Sequence, residues 1–197
     1  MALQIVQFDI GFVPVKTLVV TILALVFSQF SISDEERSTS HLETIVLGAG
    51  CFWGAEKEYA AITGVIDAVS GYADGRGVSP TYREITQYRN RFNPNNHAEV
   101  VQVTFNNSIL SSKELLKHYF EGHDPTQVNR QGNDVGTQYR SIILTTTSGQ
   151  LESANQTLNS YQELLNDAGY GKIATVVKAL ETFYPAEDYH QDYLVKN

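Results

Sequence analysis

ETIVLGAGCFWGAEKEYAAI, residues 43–62, is the stretch whose reading decides the fold. Residues 43–47 form a short run rich in β-branched side chains and end in Gly48-Ala49-Gly50, so they read as a buried strand that stops at a glycine turn. The spacing then changes. Phe52, Ala55, Tyr59 and Ile62 recur at helical intervals, so residues 52–61 read as a helix, closed by Gly64. Working outward, residues 65–69 form the next strand and lead into a glycine-rich loop at 71–77. Residues 97–105 alternate, with Val101, Val103 and Phe105 on one face and Gln102 and Thr104 on the other. Ser111-Ser112-Lys113-Glu114 opens a helix with a capping-box pattern that runs to about Phe120. Residues 139–145 read as a strand, 148–167 as an amphipathic helix closed by Gly169, 173–177 as a strand and 186–193 as a last short helix. This succession implies an α+β fold: a two-layer α/β sandwich with helices packed on a mixed, ferredoxin-like sheet.

Residues 42–197 are long enough for this one domain and its core. The first forty residues stand apart. Residues 17–27 (TLVVTILALVF) carry no charge, Lys16 precedes them, and Ser31 and Ser33 lead into a polar stretch from Asp34. Residues 1–33 are therefore expected to be a hydrophobic signal or anchor segment, with residues 12–30 directing export or membrane anchoring and 34–41 a linker. A cytoplasmic location is the alternative, because Asp9 lies where positive charge is usual. The net charge of −8 argues against nucleic acid as a partner. A single cysteine excludes both an internal disulfide and a Cys-x-x-Cys metal site, and no metal is expected.

That cysteine, Cys51, falls where the first strand gives way to the first helix. Unpaired backbone N–H groups at a helix start favour an anion, so its thiolate is expected to form more easily than that of a free thiol. Gly48, Gly50 and Gly54 keep its surroundings open, and Phe52 and Trp53 place two aromatic rings beside it. A nucleophile flanked by such a pair suits a small apolar group attached to a polarised atom.

Gly50-Cys51-Phe52-Trp53-Gly54 resembles the GCFWG signature of the peptide methionine sulfoxide reductase A family. Pro80-Thr81-Tyr82 resembles that family's P-[ST]-Y element, His97-Ala98-Glu99-Val100-Val101 its HAEVV element, residues 129–141 (NRQGNDVGTQYRS) a long internal match, and Glu187-Asp188-Tyr189-His190-Gln191 its closing EDYHQ. The five occur in the family's order and span nearly the whole domain. The resemblance implies that Cys51 attacks the sulfur of a methionine sulfoxide, protein-bound or free, while Phe52 and Trp53 hold the terminal methyl group. It implies that Glu99 protonates the departing oxygen, that Tyr82 and Tyr139 hydrogen-bond it, and that Asp134 organises the polar side through water. Specificity for the S epimer, repair of oxidised proteins, a sulfenic acid at Cys51 and a monomeric state belong to the same implication. Without it, Glu99 reads as a solvated residue at the start of a strand, Asp134 as a turn residue that caps a loop, and His97 and His190 as core residues or as residues that support the site without a catalytic role.

Two departures from the family pattern stand out. No second cysteine is present to resolve the sulfenic acid. The chain therefore resembles a single-cysteine form that needs no bound cofactor but an external thiol, thioredoxin or glutathione with glutaredoxin. The interval from Tyr82 to Glu99 is 17 residues, longer than the family's, and the extra segment 87–96 (QYRNRFNPNN) is basic and aromatic. It reads either as a tolerated surface loop or as a rim that meets peptide substrates or a reductant through Arg89 and Arg91. Two other classes compete with the reductase reading. A cysteine hydrolase using Cys51 with His97 or His190 lacks an orienting third residue at recognisable spacing. A non-catalytic module that binds oxidised proteins would have no need of Glu99, Tyr82, Asp134 and Tyr139 together.

Overall fold

A computed structural model describes residues 41–197. The expected signal or anchor at 1–33, and the linker at 34–41 except for its last residue, His41, lie outside the described residues. No helix among the described residues is long and apolar enough to cross a membrane.

The elements run β1 (Leu42–Gly48), α1 (Phe52–Ala60), β2 (Val65–Ala73), α2 (Tyr82–Ile85), β3 (Ala98–Asn106), α3 (Ser112–Gly122), β4 (Arg130–Gln131), β5 (Asp134–Val135), β6 (Ile142–Thr145), α4 (Ser148–Asp167), β7 (Val176–Ala179), β8 (Phe183–Pro185) and α5 (Tyr193–Lys196). Six strands form one sheet in the order β7-β6-β1-β3-β2-β8, while β4 and β5 make a separate small hairpin. Within β1-α1-β2-β3-α3-β6 the spatial order is β6-β1-β3-β2, and each neighbouring pair is antiparallel. This is the split βαβ arrangement of the ferredoxin-like fold. Strand β7 extends the sheet parallel to β6 after the crossover through α4, which makes the sheet mixed. The α+β sandwich read from the sequence is the fold observed.

Alternation along the strands builds two cores. Ile45, Leu47, Val101, Val103 and Phe105 face the helices and pack against Phe52 and Tyr59 of α1 and Leu115, Leu116 and Tyr119 of α3. Val46, Val100, Ile142 and Leu144 face the other way, where Leu180 and Phe183 pack against them. The capping box at the start of α3 forms as expected: the Ser111 hydroxyl accepts from the Glu114 N–H, and the Glu114 carboxylate accepts from the Ser111 N–H.

Four segments differ from expectation. β2 does not stop at Val69 but continues to Ala73, because Gly71 pairs with Val100 on one side and Pro185 on the other. A Cβ on Gly71 would lie 2.4 Å from the ring of Phe183, so this glycine serves close packing inside the strand. The strand expected over 139–145 starts only at Ile142; Thr137–Tyr139 is a single 3-10 turn, pinned by a hydrogen bond from the Thr137 N–H to the Arg91 carbonyl. The strand expected at 173–177 is shifted to Val176–Ala179. The expected last helix divides into a 3-10 turn, Asp188–His190, and α5, separated by Asp192 in the left-handed region (φ 53°). Strand β8, the β4–β5 hairpin and α2 are too short to carry a periodic signal.

Candidate active site

The register of the sheet sets the site. On β3, Val101 lies opposite Leu47 of β1, and Glu99 lies opposite Tyr72 of β2. Two residues beyond the Leu47–Val101 pair, β1 has ended and the chain turns into α1. Glu99 therefore occupies the gap left by that turn. Its Oε2 accepts a hydrogen bond from the Phe52 N–H at 3.2 Å, which ties the acid to the residue after Cys51.

The turn depends on Gly50. Its φ of +99° is a conformation that side chains rarely adopt, and a Cβ there would lie 2.7 Å from the Cβ of Gln131. Gln131 cannot retreat freely: its Nε2 donates to the Asp124 carbonyl at 3.1 Å and its Oε1 accepts from the Asp124 N–H at 3.2 Å. Gly50→Ala is expected to destabilise the fold by about 1–3 kcal/mol. Because the change displaces the residue beside Cys51, turnover should also fall at least about tenfold. Thermal melts paired with rate measurements test this, and a variant with the parent's melting temperature and rate would show that the turn accepts a side chain.

Cys51 is half-buried at the N-cap of α1. The N–H groups of Trp53 and Gly54 favour its thiolate, as the helix start predicts. Burial opposes them and prevails. It is the main cause that pushes the thiol up to about 11, followed by the charge of Glu99 and, after the Trp53 N–H, that of Asp134. The expectation of an easily formed thiolate is therefore corrected: at neutral pH Cys51 is a thiol. Dehydration of the sulfur, which no helix-end argument includes, outweighs the backbone N–H groups.

Glu99 is 1% exposed. Burial raises its pKa to about 8, the Phe52 N–H resists, and the charge of Asp134 adds to the rise. At neutral pH it is a protonated acid, so its charge reaches Cys51 only above about pH 8. Its Oε1 is buried and has no hydrogen-bond partner among the described residues. A buried carboxyl oxygen without a partner costs about 1–3 kcal/mol and is found where a ligand completes the bonding.

Aromatic rings wall the apolar side. Phe52 lies 6.3 Å from Trp53 and stacks at 6.2 Å and 17° on Tyr82. Tyr82 lies 4.4 Å from the ring of His190, and its phenol is held up to about 12 by burial first and then by the charge of Glu99. Tyr139 ends the 3-10 turn before β6, and burial, then Glu99 and Tyr82, raise its phenol well above the usual range. Tyr82, Tyr139 and Asp134 line one cleft of about 400 Å³, with Asp134 exposed at the start of β5. The structure thus gathers Cys51, Phe52, Trp53 and Glu99 at one turn, with Tyr82, Tyr139 and Asp134 along the adjoining cleft. His97 is apart from them: its Nδ1 accepts from the Gly75 N–H at 3.2 Å and steadies the loop after β2.

Three residues given no role from the sequence position this wall. Trp53 Nε1 donates to His190 Nδ1 at 3.1 Å, and Tyr193 stacks on the Trp53 ring at 4.0 Å and 14°. Glu187 accepts from the Tyr82 N–H at 3.0 Å through Oε1 and from the Tyr72 hydroxyl at 2.6 Å through Oε2. Residues 187–191 match a family motif, but nothing in the string says that its acid and imidazole hold other residues' rings.

A lone thiol beside a buried neutral acid, faced by aromatic rings, defines an oxidoreductase that works through sulfur. The chain belongs to the peptide methionine sulfoxide reductase family, whose sequence model matches residues 43–197. It is 51% identical over 157 residues to the peptide methionine sulfoxide reductase MsrA of Agrobacterium fabrum, a match covering 79% of this chain and 70% of that protein. Among solved structures it is similar to methionine sulfoxide reductase A of Corynebacterium diphtheriae, at 41% identity and a TM-score of 0.74, covering 82% of this chain and 77% of that one. It is also similar to Mxr1 of Saccharomyces cerevisiae solved in complex with Trx2, at 26% identity and a TM-score of 0.54, covering 79% and 87% of the two chains.

Proposed function

We propose that this chain reduces the S epimer of methionine sulfoxide, protein-bound and free, through Cys51 alone. The observation that carries the reading is Glu99: a buried acid with one unpartnered oxygen, fixed to the residue next to the thiol, whose burial favours its protonated form. A sulfoxide is inert to thiols until its oxygen is protonated or strongly hydrogen-bonded. Phe52 and Trp53 seat the substrate's methyl group, and the Tyr82 and Tyr139 phenols, neutral at working pH, donate to the oxygen. Asp134 organises the polar end through water. An apolar seat on one side of the sulfur and donors on the other admit only one arrangement of its substituents, which accounts for the choice of epimer.

Both Cys51 and Glu99 hold their protons at rest. Glu99 passes its proton to the sulfoxide oxygen while it takes the thiol proton, and the Cys51 sulfur bonds to the substrate sulfur. The collapse leaves the substrate as a thioether and Cys51 as Sγ–OH. The substrate sulfur gains two electrons and the cysteine sulfur loses two, so atoms and charge balance without a bound cofactor. An external thiol then attacks Cys51 Sγ, releasing water and forming a mixed disulfide, and a second external thiol frees Cys51. The yeast relative solved with Trx2 supports a thioredoxin as this donor, ahead of glutathione with glutaredoxin.

A single turnover tests the reading. Reduced protein is mixed with each separated epimer of a methionine sulfoxide peptide and no donor. The S epimer should give about one equivalent of methionine, with Cys51 trapped as sulfenic acid by a dimedone-type probe. No methionine from either epimer, in folded protein with a free thiol, would sink it. For location, the apolar run at 17–27 supports export or anchoring through residues 12–30. Fractionation of cells making the full chain checks this, and recovery only with cytoplasmic markers points to the cytoplasmic alternative.

A further inference from the structure

The segment 87–96 is built as a rigid arm rather than a slack loop. Its first residues form the 3-10 turn Tyr88–Asn90. From within, buried Asn96 donates through Nδ2 to the Ile85 carbonyl at 2.9 Å and the Asn90 carbonyl at 3.3 Å. On its outer side, Arg91 Nε donates to the Val135 carbonyl at 3.1 Å, and the Thr137 N–H donates to the Arg91 carbonyl at 2.8 Å. The arm is thus bonded to the loop that carries Asp134 and Tyr139, and its Tyr88 and Arg91 line the same cleft as those two residues.

What the arm displays is unusual for a surface so well tied down. Tyr88 is 84% exposed and Phe92 67% exposed, and the Arg91 guanidinium lies 5.5 Å from the centre of the Phe92 ring. Residues 87–96 contain Arg89 and Arg91 but no acid, in a chain whose net charge is −8. Rigid exposed aromatics with arginine are the side chains that dominate polypeptide recognition, since little conformational freedom is lost when they are covered.

We propose that the arm is a docking wall for the polypeptide around the oxidised methionine, and that it selects acidic segments. Tyr88 and Phe92 cover the apolar parts of flanking residues, and Arg89 and Arg91 meet their carboxylates. The proposal rests on the reductase reading and names the substrate class of that same site.

The test uses the full chain in donor-free single turnovers, which removes any reductant from the measurement. Three substrates are compared: N-acetylmethionine sulfoxide, a hexapeptide with the sulfoxide between glutamates, and its counterpart with lysines. The parent protein should favour the acidic peptide over the basic one about tenfold, as distant contacts made in the transition state allow. Tyr88→Ala should lower the rate on the acidic peptide relative to the small substrate by about tenfold. Arg89→Glu, a change at an exposed position that leaves packing untouched, should abolish or invert the charge preference. Equal rates on the two peptides, or ratios unmoved in both variants, would overturn the proposal. So would an effect that arises only in multiple turnovers with thioredoxin, because the arm would then dock the donor. A parent protein inactive on all three substrates defeats the reductase reading itself, and the proposal with it.

Discussion

Cys51→Ser protein is expected to form no methionine at all, at least about 10⁴-fold below the parent, whatever donor is supplied. The reason lies in electrons as much as in rate. In the proposed cycle the substrate sulfur gains two electrons, and the cysteine sulfur gives them by becoming a sulfenic acid. A serine hydroxyl has no corresponding oxidation state, and no second cysteine exists to take over. The fold should be little changed, because Cys51 is only half-buried and its side chain takes no part in capping α1. The measurement is methionine released per chain, alongside a thermal melt. Release above about 1% of the parent's rate, from a variant shown by mass to be homogeneous, would mean that the electrons come from elsewhere and that Cys51 is not the reductant.

Glu99→Gln should lower the rate by about 10²–10⁴-fold, the usual worth of a positioned proton donor. An amide keeps the size and can still donate to the sulfoxide oxygen, but it cannot exchange a proton with it. The pH dependence separates this role from mere packing. In the parent, the protonated carboxyl persists below about pH 8, so activity should fall as pH rises through that value, and the variant should lack this limb. Stability falls with rising pH as well. The folded pKa of about 8 stands above the unfolded value of 4.5, so the folded state binds more protons between those two pH values. The part of the burial cost that comes from ionisation is therefore absent below about pH 4.5, grows as pH rises, and reaches its full amount above about pH 8. The variant should melt several degrees above the parent at pH 9 and close to it at pH 4.5. A variant less stable than the parent at pH 9 would show that Glu99 is held as a charged group with bonding that the amide cannot replace.

How much of this was legible beforehand follows from which signals are local. The strand–turn–helix at 43–61 and the alternation at 98–105 could be read because period and glycine placement are properties of adjacent residues. From these the core of the sheet followed, and so did the meeting of Cys51 with the aromatic pair. The neutrality of Glu99 could not be read, since it comes from burial supplied by β1, β2 and α1 together. The same holds for the thiol of Cys51: the helix start was visible, but the dehydration that overrides it was not. Tyr139 was expected inside a strand because Tyr-Arg-Ser-Ile-Ile looks continuous, whereas a hydrogen bond to Arg91, more than forty residues earlier in the chain, holds the preceding Thr137 in a turn. Glu187 and His190 act entirely through distant rings, and no spacing rule connects them to Phe52 or Tyr82.

The stacking of Tyr193 on Trp53, and the bond from that indole to His190, give the protein an optical property of its own. Trp53 is the only tryptophan in the chain, so the whole of its indole emission originates within the aromatic wall beside Cys51. A methyl group seated against the ring, or an oxygen newly placed on the neighbouring sulfur, alters the polarity and the quenching that the ring feels. Each step of the proposed cycle should thus change one fluorescence signal, and stopped-flow recording would time substrate capture, oxygen transfer and reduction by the donor without any label.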